Sequence, residues 1–375
     1  MRRILLFLSA PTCLYVKARG EKAGSIPYPE RLLPSPEGQM DAIQLEGIIP
    51  VELDGKRLDQ ALAAMFTEFS RSRLKEWIVA GQVEVNGLRH PPRAKIRAGQ
   101  HVVVNATREV REDARAEPIA LNIVFEDDDV LVIDKPAGLV VHPGAGNQDG
   151  TLMNGLLHHA AALAELPRCG ILHRLDKDTT GLLLVAKSQG ACTRLVQDLQ
   201  ERNITREYRG VCNGRLTAGG RIDAPVGRHP TQRTRMAVVE RGRPSVTNYR
   251  VLQRFPAHTF CAMRLETGRT HQIRVHFAHE RHSLVGDPVY GGRLKIPAGT
   301  SESLANVLRG FRRQALHASR IEFRHPTTEQ LLTFTASLPD DFVDLLQALA
   351  DDSDDCSVRD RDAWGRMAWP TADSH

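Results

Sequence analysis

Six cysteines are all that this 375-residue chain contains, and no two form a CxxC pair or keep a regular spacing. That excludes a disulfide frame and a zinc-ribbon site, and it is the pattern of reduced thiols in a cytoplasmic protein. No apolar run approaches the ~20 residues that a helical membrane span needs, so no membrane partner is expected. No repeat of 20–50 residues recurs, which rules out solenoids and propellers. A glycine-rich phosphate loop, a D-F-G triplet and an H-E-x-x-H pair are also missing, so NTPase, kinase and zinc-protease readings lose their anchors.

What the chain does have is an uneven charge. The formal net charge is +5, yet Asp340 to the C-terminus holds ten acidic and three basic residues, a net of −7, leaving +12 on the first 339 residues. A basic body of this kind favours a polyanionic partner. The hydrophobic content of 41% is that of an ordinary globular protein.

Four segments follow. Residues 1–39 begin MRRILLFLSA, a basic start with a short apolar run, but no small-x-small cleavage site follows and no periodicity develops. They are expected to be a disordered extension, or to lie ahead of a true start near Met40. Residues 50–110 read as a small module. RLDQALAAMF patterns as an amphipathic helix, and SRSRLKEWIVAG as a second one with Ser70 as N-cap and Gly81 as C-cap. QVEVNGLRH then turns at Asn-Gly as a hairpin, and Lys95 to Val104 supplies a further strand. Arg71, Arg73 and Lys75 share the second helix with Arg89 nearby, which suggests a surface that follows phosphates. Residues 118–340 form a larger body in which strands outnumber helices and often follow one another directly. The fold class is therefore α+β with a mixed, largely antiparallel sheet. Residues 351–375 are acidic and aperiodic and are expected to be a disordered tail.

The densest chemistry lies at residues 173–181, HRLDKDTTG, which runs straight into LLLVA. A kinase catalytic loop would need a downstream Asn at fixed spacing, and an aspartyl-phosphate site would need a different residue order. A carboxylate on a turn that enters a buried strand suits nucleophilic work instead, provided that a cation keeps it ionised. The bland alternative is a surface turn whose aspartates pair locally. The four histidines of GRTHQIRVHFAHERH (271, 276, 279 and 282) never fall at i, i+4, so packing or RNA contact is expected of them, with no metal.

GILHRLDKDTTGLLLVAKS, together with KPAGLVVHPG, REYRG, ETGRTHQIRVH and GDPVYGG, resembles the RluA family of pseudouridine synthases. RLDQAL, SRSRLKEWI, GQVEVNG and GQHVVV resemble an S4 RNA-binding domain of the α-L type. The likeness covers roughly residues 45–340, and Thr180 departs only in standing where the family more often has serine. It implies a pseudouridine synthase fold behind an S4 domain, with RNA as partner and no cofactor. It implies Asp176 as the nucleophile, Tyr208 as the ring against the target base and Arg274 as the partner of the catalytic carboxylate. Arg174 would insert into the RNA stack, and Asp178 would serve the turn. The implied substrate is the helix 69 stem-loop of large-subunit ribosomal RNA, free or in a pre-ribosomal particle, acted on by a monomer. The same chemistry on transfer RNA or on another ribosomal RNA site, or silent RNA binding without catalysis, are the alternatives.

Overall fold

A computed structural model describes residues 42–66, 69, 71–107, 115–144, 146–232, 234–294, 296–353, 361 and 363–369. The expectation for residues 1–39 and the proposed cap Ser70 lie outside these. The chain divides into two units, Met1–Glu109 and Val110–His375.

In the first unit a three-stranded sheet, in the order β1 (Ala42–Ile48), β3 (His101–Thr107), β2 (Val83–Val85), is antiparallel throughout. Helices α1 (Leu58–Met65) and α2 (Arg71–Val79) share its core through Leu58, Leu62, Leu74 and Trp77. Three expectations need correction. The module begins at Ala42, not residue 50, because β1 pairs along the whole of β3. The Asn-Gly turn is present, with Asn86 at φ 51° and Gly87 at φ 74°, but it closes a single bridge from Val85 to Leu88. Strand β2 takes β3 as its partner instead. Residues 95–100 are therefore a turn rather than strand, with Gly99 at φ 79° and Lys95 bridging Arg57.

The second unit is built on one nine-stranded sheet. Its elements are β4 (Ile123–Glu126), β5 (Val130–Lys135), α3 (Leu152–His159), β6 (Thr180–Ala186), α4 (Gln189–Glu201) and β7 (Thr205–Asn213). They continue with β8 (Gly220–Asp223), β9 (Val226–Arg228), β10 (Met236–Val238), β11 (Val246–Arg254), β12 (His258–Leu265) and α5 (Gln272–His279). The series ends with α6 (Glu302–Gly310), β13 (Leu316–Arg324), β14 (Leu331–Thr335), α7 (Asp340–Asp351) and α8 (Ala363–Arg366). The sheet order is β4-β5-β6-β13-β7-β12-β11-β8, with β14 on β13, while β9 and β10 form a separate hairpin. Every pairing in the sheet is antiparallel except the short β13–β6 contact, His317 to Thr180 and Ala318 to Gly181. The mixed, largely antiparallel α+β reading holds.

Both faces of this sheet are covered at β6, which is buried along its whole length instead of alternating. On β6, Leu183 and Val185 join the core shared with α3, α5 and Tyr208. Leu182, Leu184 and Ala186 point the other way, onto Ala191 and Leu195 of α4. A third cluster gathers Phe260, Phe342, Leu345, Leu346 and Trp364 around α6 and α7. Trp364 is fully buried there, and Trp369 covers the Arg264 guanidinium at 4.1 Å. The expectation of a disordered tail over 351–375 thus fails for its described part. Ahead of that tail, the acidic side chains of α7 face outward while Phe342, Leu345 and Leu349 pack inward, an amphipathic helix between the expected body and the expected tail.

Candidate active site

The turn before β6 is fixed from three sides. The Asp176 carbonyl accepts from the Thr179 amide at 3.0 Å, and the Gln314 side-chain amide donates to Thr179 Oγ1 at 2.9 Å. Thr180 Oγ1 pairs with His317 Nδ1 at 2.8 Å, which gives the hydroxyl at this position a structural task on β13. Gly181, at φ 108°, lies where β13 crosses, and a Cβ there would overlap the Ala318 backbone. Behind the turn stands Lys135 at the end of β5, fully buried. Its ammonium donates to the carbonyls of Pro136, Leu139 and Lys177 at 2.7, 3.0 and 2.9 Å. Burial pulls its pKa down to about 8, against the opposing pull of Asp178 and Asp176.

Asp176 and Arg274 are 98 residues apart in sequence, and the fold brings them into contact. Arg274 Nη1 donates to Asp176 Oδ2 at 2.9 Å. The same guanidinium grips Asp287 from its other edge, Nε to Oδ2 at 2.7 Å and Nη2 to Oδ1 at 2.9 Å. Asp287 Oδ1 also accepts from the amides of Val289 and Tyr290, both at 2.9 Å. The Asp176 side chain keeps 14% exposure while that of Asp287 has none, so one carboxylate faces the site and the other serves as a support. Burial would push Asp287 up, but the Arg274 bonds and charge, with the two amides, hold it below the usual carboxylate range. Burial likewise works against the Arg274 charge, and its bonds to Asp287 and the pull of Asp176 overcome it, so its pKa rises.

Helix α5 presents Arg274 because the residues around it are pinned. Gln272 is buried, donates to the Val246 carbonyl and to Thr247 Oγ1, and accepts from Thr267 Oγ1 and the Arg269 amide. His276 bonds Thr247 Oγ1 and the Ala224 carbonyl, both at 2.9 Å, and His282 bonds the Asn213 carbonyl at 2.8 Å. These two histidines pack, as expected. His271 caps α5 in the left-handed region at φ 57°, with its Nε2 3.7 Å from Asp176 Oδ1.

Tyr208 lies on β7 opposite Ala318 and Met263 and is 5% exposed. Burial raises its phenol pKa, with Arg206 pulling down and Asp176 pushing further up, which places it within the field of the site. Its neighbours Glu207 and Arg209 emerge on the opposite face, where Arg209 and Arg264 both bind Glu207 and Arg209 donates to the Met367 carbonyl. Arg174 is exposed, and its charge helps to lower the pKa of both His142 and His271. Among the described residues, Nε of Arg206 and Nε of Arg269 are buried without a hydrogen-bond partner.

In the first unit, Arg71 donates to Asp59 at 3.2 Å, a nearly buried carboxylate that Arg57 also binds. Arg89 lies 3.9 Å from Glu84 with 71% of its side chain exposed, and Lys75 is exposed on α2. Arg73, also on α2, is half-buried.

Lys135, His271, Asp287 and Tyr290 are site residues that sequence reasoning missed. Each belongs to a stretch that carries the family likeness, but nothing in local spacing shows that Asp287 and Tyr290 reach Arg274. The acidic and aromatic pair within GDPVYGG was the one available signal.

A family model described as RNA pseudouridylate synthase matches residues 129–279. The ribosomal large subunit pseudouridine synthase D of Vibrio parahaemolyticus is 54% identical over 307 residues, covering 82% of this chain and 94% of the relative. The protein of the same name from Escherichia coli K12 is 53% identical over 313 residues, covering 83% and 95%. The solved structure of Human RNA Pseudouridylate Synthase Domain Containing 4 is 25% identical, with a TM-score of 0.48, over 61% of this chain and 92% of that one. At that score it adds no weight beside the sequence relatives.

Proposed function

The chain belongs to the RluA family of RNA pseudouridylate synthases, which are isomerases, and from that membership we propose that it converts uridine to pseudouridine in large-subunit ribosomal RNA. One observation carries the chemistry. Asp176 has one oxygen held by Arg274, which grips Asp287 through two further donors, while its other oxygen accepts no hydrogen bond among the described residues and the side chain keeps 14% exposure. A buried cation that is always charged attracts such a carboxylate and aims it.

The target uridine leaves its stack, at a cost of about a few kcal/mol that phosphate contacts and the Arg174 side chain offset. Asp176 reacts with the extruded nucleoside, the bond from C1′ to N1 breaks, and the carboxylate is released unchanged once the base has rejoined the sugar. The base turns over, C1′ bonds to C5, the C5 proton departs and N1 gains one. Atoms balance without oxidant, water or cofactor. Tyr208 offers the base a flat surface beside Asp176. The first unit acts as an S4 module, with Arg73, Lys75 and Arg89 following phosphates and Arg71 partly committed to Asp59. The helix 69 stem-loop is the target in this reading, a monomer is the working form and the cytoplasm is its place.

Mapping new pseudouridines after incubation with protein-free large-subunit RNA, assembled subunits and bulk transfer RNA tests the target. Modification within helix 69, in either ribosomal substrate, is expected. Modification of transfer RNA alone would overturn it.

A further inference from the structure

Tyr290 touches more of the site than packing alone requires. Its hydroxyl accepts from the Met236 amide at 3.0 Å and pairs with His271 Nδ1 at 2.8 Å. Its ring carries the Arg274 guanidinium at 5.1 Å from its centroid, and that of Arg235 at 5.3 Å. The hydroxyl has one proton. With Met236 already donating to it, that proton has His271 Nδ1 as its only acceptor among the described residues. With the Tyr290 proton given to Nδ1, the imidazole carries its own proton on Nε2, the nitrogen that faces Asp176 Oδ1 at 3.7 Å. This is longer than a hydrogen bond, as catalytic contacts often are before substrate closes the site.

Two further observations agree. His271 holds a left-handed backbone at φ 57°, a strained conformation for a residue with a Cβ, and such outliers gather at working sites. Burial lowers its pKa, with Arg274 and Arg174 helping and Asp176 and Asp287 opposing, so the ring is neutral near pH 7. It then brings a dipole to the free oxygen of Asp176 and no second full charge.

We propose that His271, locked in its Nε2–H form by Tyr290, is a positioning residue that aims the free Oδ1 of Asp176, and that Tyr290 couples this aim to the β9–β10 hairpin through Met236. The inference rests on the reading of Asp176 as the reacting carboxylate. Arg274 sets one carboxylate oxygen and His271 sets the other, so the plane of the group is fixed when the base arrives.

The test uses the full chain and large-subunit RNA tritiated at uridine C5, with kcat and KM from tritium release and RNA affinity from filter binding. Tyr290→Phe and His271→Leu should each lower kcat about tenfold, the size of one lost neutral hydrogen bond. KM and RNA affinity should stay unchanged. The double variant should be no slower than His271→Leu, because both break one chain. His271→Gln, which returns an N–H near the Nε2 position, should recover most of the rate. Unchanged kcat in Tyr290→Phe would overturn the proposal, as would multiplying losses in the double variant or a loss confined to KM. If His271→Leu fails to fold, Tyr290→Phe, which removes a single oxygen, carries the test alone. An inactive Asp176→Asn beside wild-type-like Tyr290→Phe and His271→Leu would sink this inference only. An active Asp176→Asn would sink the reading beneath it.

Discussion

At the residue scale the site turns on one guanidinium between two carboxylates. Asp287 is wholly buried and bound by Arg274 and two amides, so its charge stabilises the folded chain and orients Arg274 toward Asp176. Its pKa is lower in the folded state than the ~3.9 of an unfolded aspartate. The stabilisation is therefore fully present above that value and is lost as pH falls through the folded pKa. Asp287→Asn should cost about 3 to 5 kcal/mol at neutral pH, as for breaking one side of a buried pair. Thermal unfolding of both proteins from pH 7 downward should show the gap closing below about pH 4. A gap that is constant with pH would mean the Asp287 charge contributes nothing. Asp176 and Arg274 were legible from motif likeness, and the fold does place them in contact. Asp287 was not, since its value appears only once a loop 13 residues beyond Arg274 folds back onto it.

At the element scale, the turn before β6 explains why charges crowd against a buried strand. The strand is apolar on both faces because two cores need it, and the polar residues before it are consumed by backbone bonds and by β13. Gly181 makes the crossing possible. Gly181→Ala would force a Cβ into the Ala318 backbone at φ 108°, so turnover should fall at least about 100-fold with a lowered melting temperature, while RNA affinity stays near wild type. Wild-type turnover in that variant would show that the turn tolerates a shift. Much of the element order in this unit was readable from short apolar runs bounded by turn residues, as in β5 and β6, and from the helical stripe of α4. Strand β1 was missed because its partner lies some 60 residues away, and a strand at the edge of a small sheet carries little local signal. Helices α6 and α7 were missed for a different reason. Ser301 caps α6 on the Leu304 amide, a readable start, but acidic composition around α7 drew attention from its apolar stripe.

At the scale of the whole molecule, the proposed phosphate contacts and the proposed chemistry fall in different units. Arg73, Lys75 and Arg89 belong to the first, and Asp176 to the second. Replacing those three by Gln should weaken RNA binding and flatten its salt dependence by roughly 0.7 to 0.9 in the log–log slope for each phosphate that is no longer neutralised. Arg71 is left in place because Asp59 beneath it is nearly buried and would lose a partner. An unchanged slope would mean that the first unit does not follow phosphates. The central claim concerns chemistry, and one comparison reaches it directly: tritium release from C5-labelled uridine in large-subunit RNA by wild type and by Asp176→Asn, with RNA binding measured beside it. Release by wild type, none by Asp176→Asn and equal RNA affinity in both is the predicted result. Release by Asp176→Asn at a rate near wild type would contradict the account, whatever the RNA affinity.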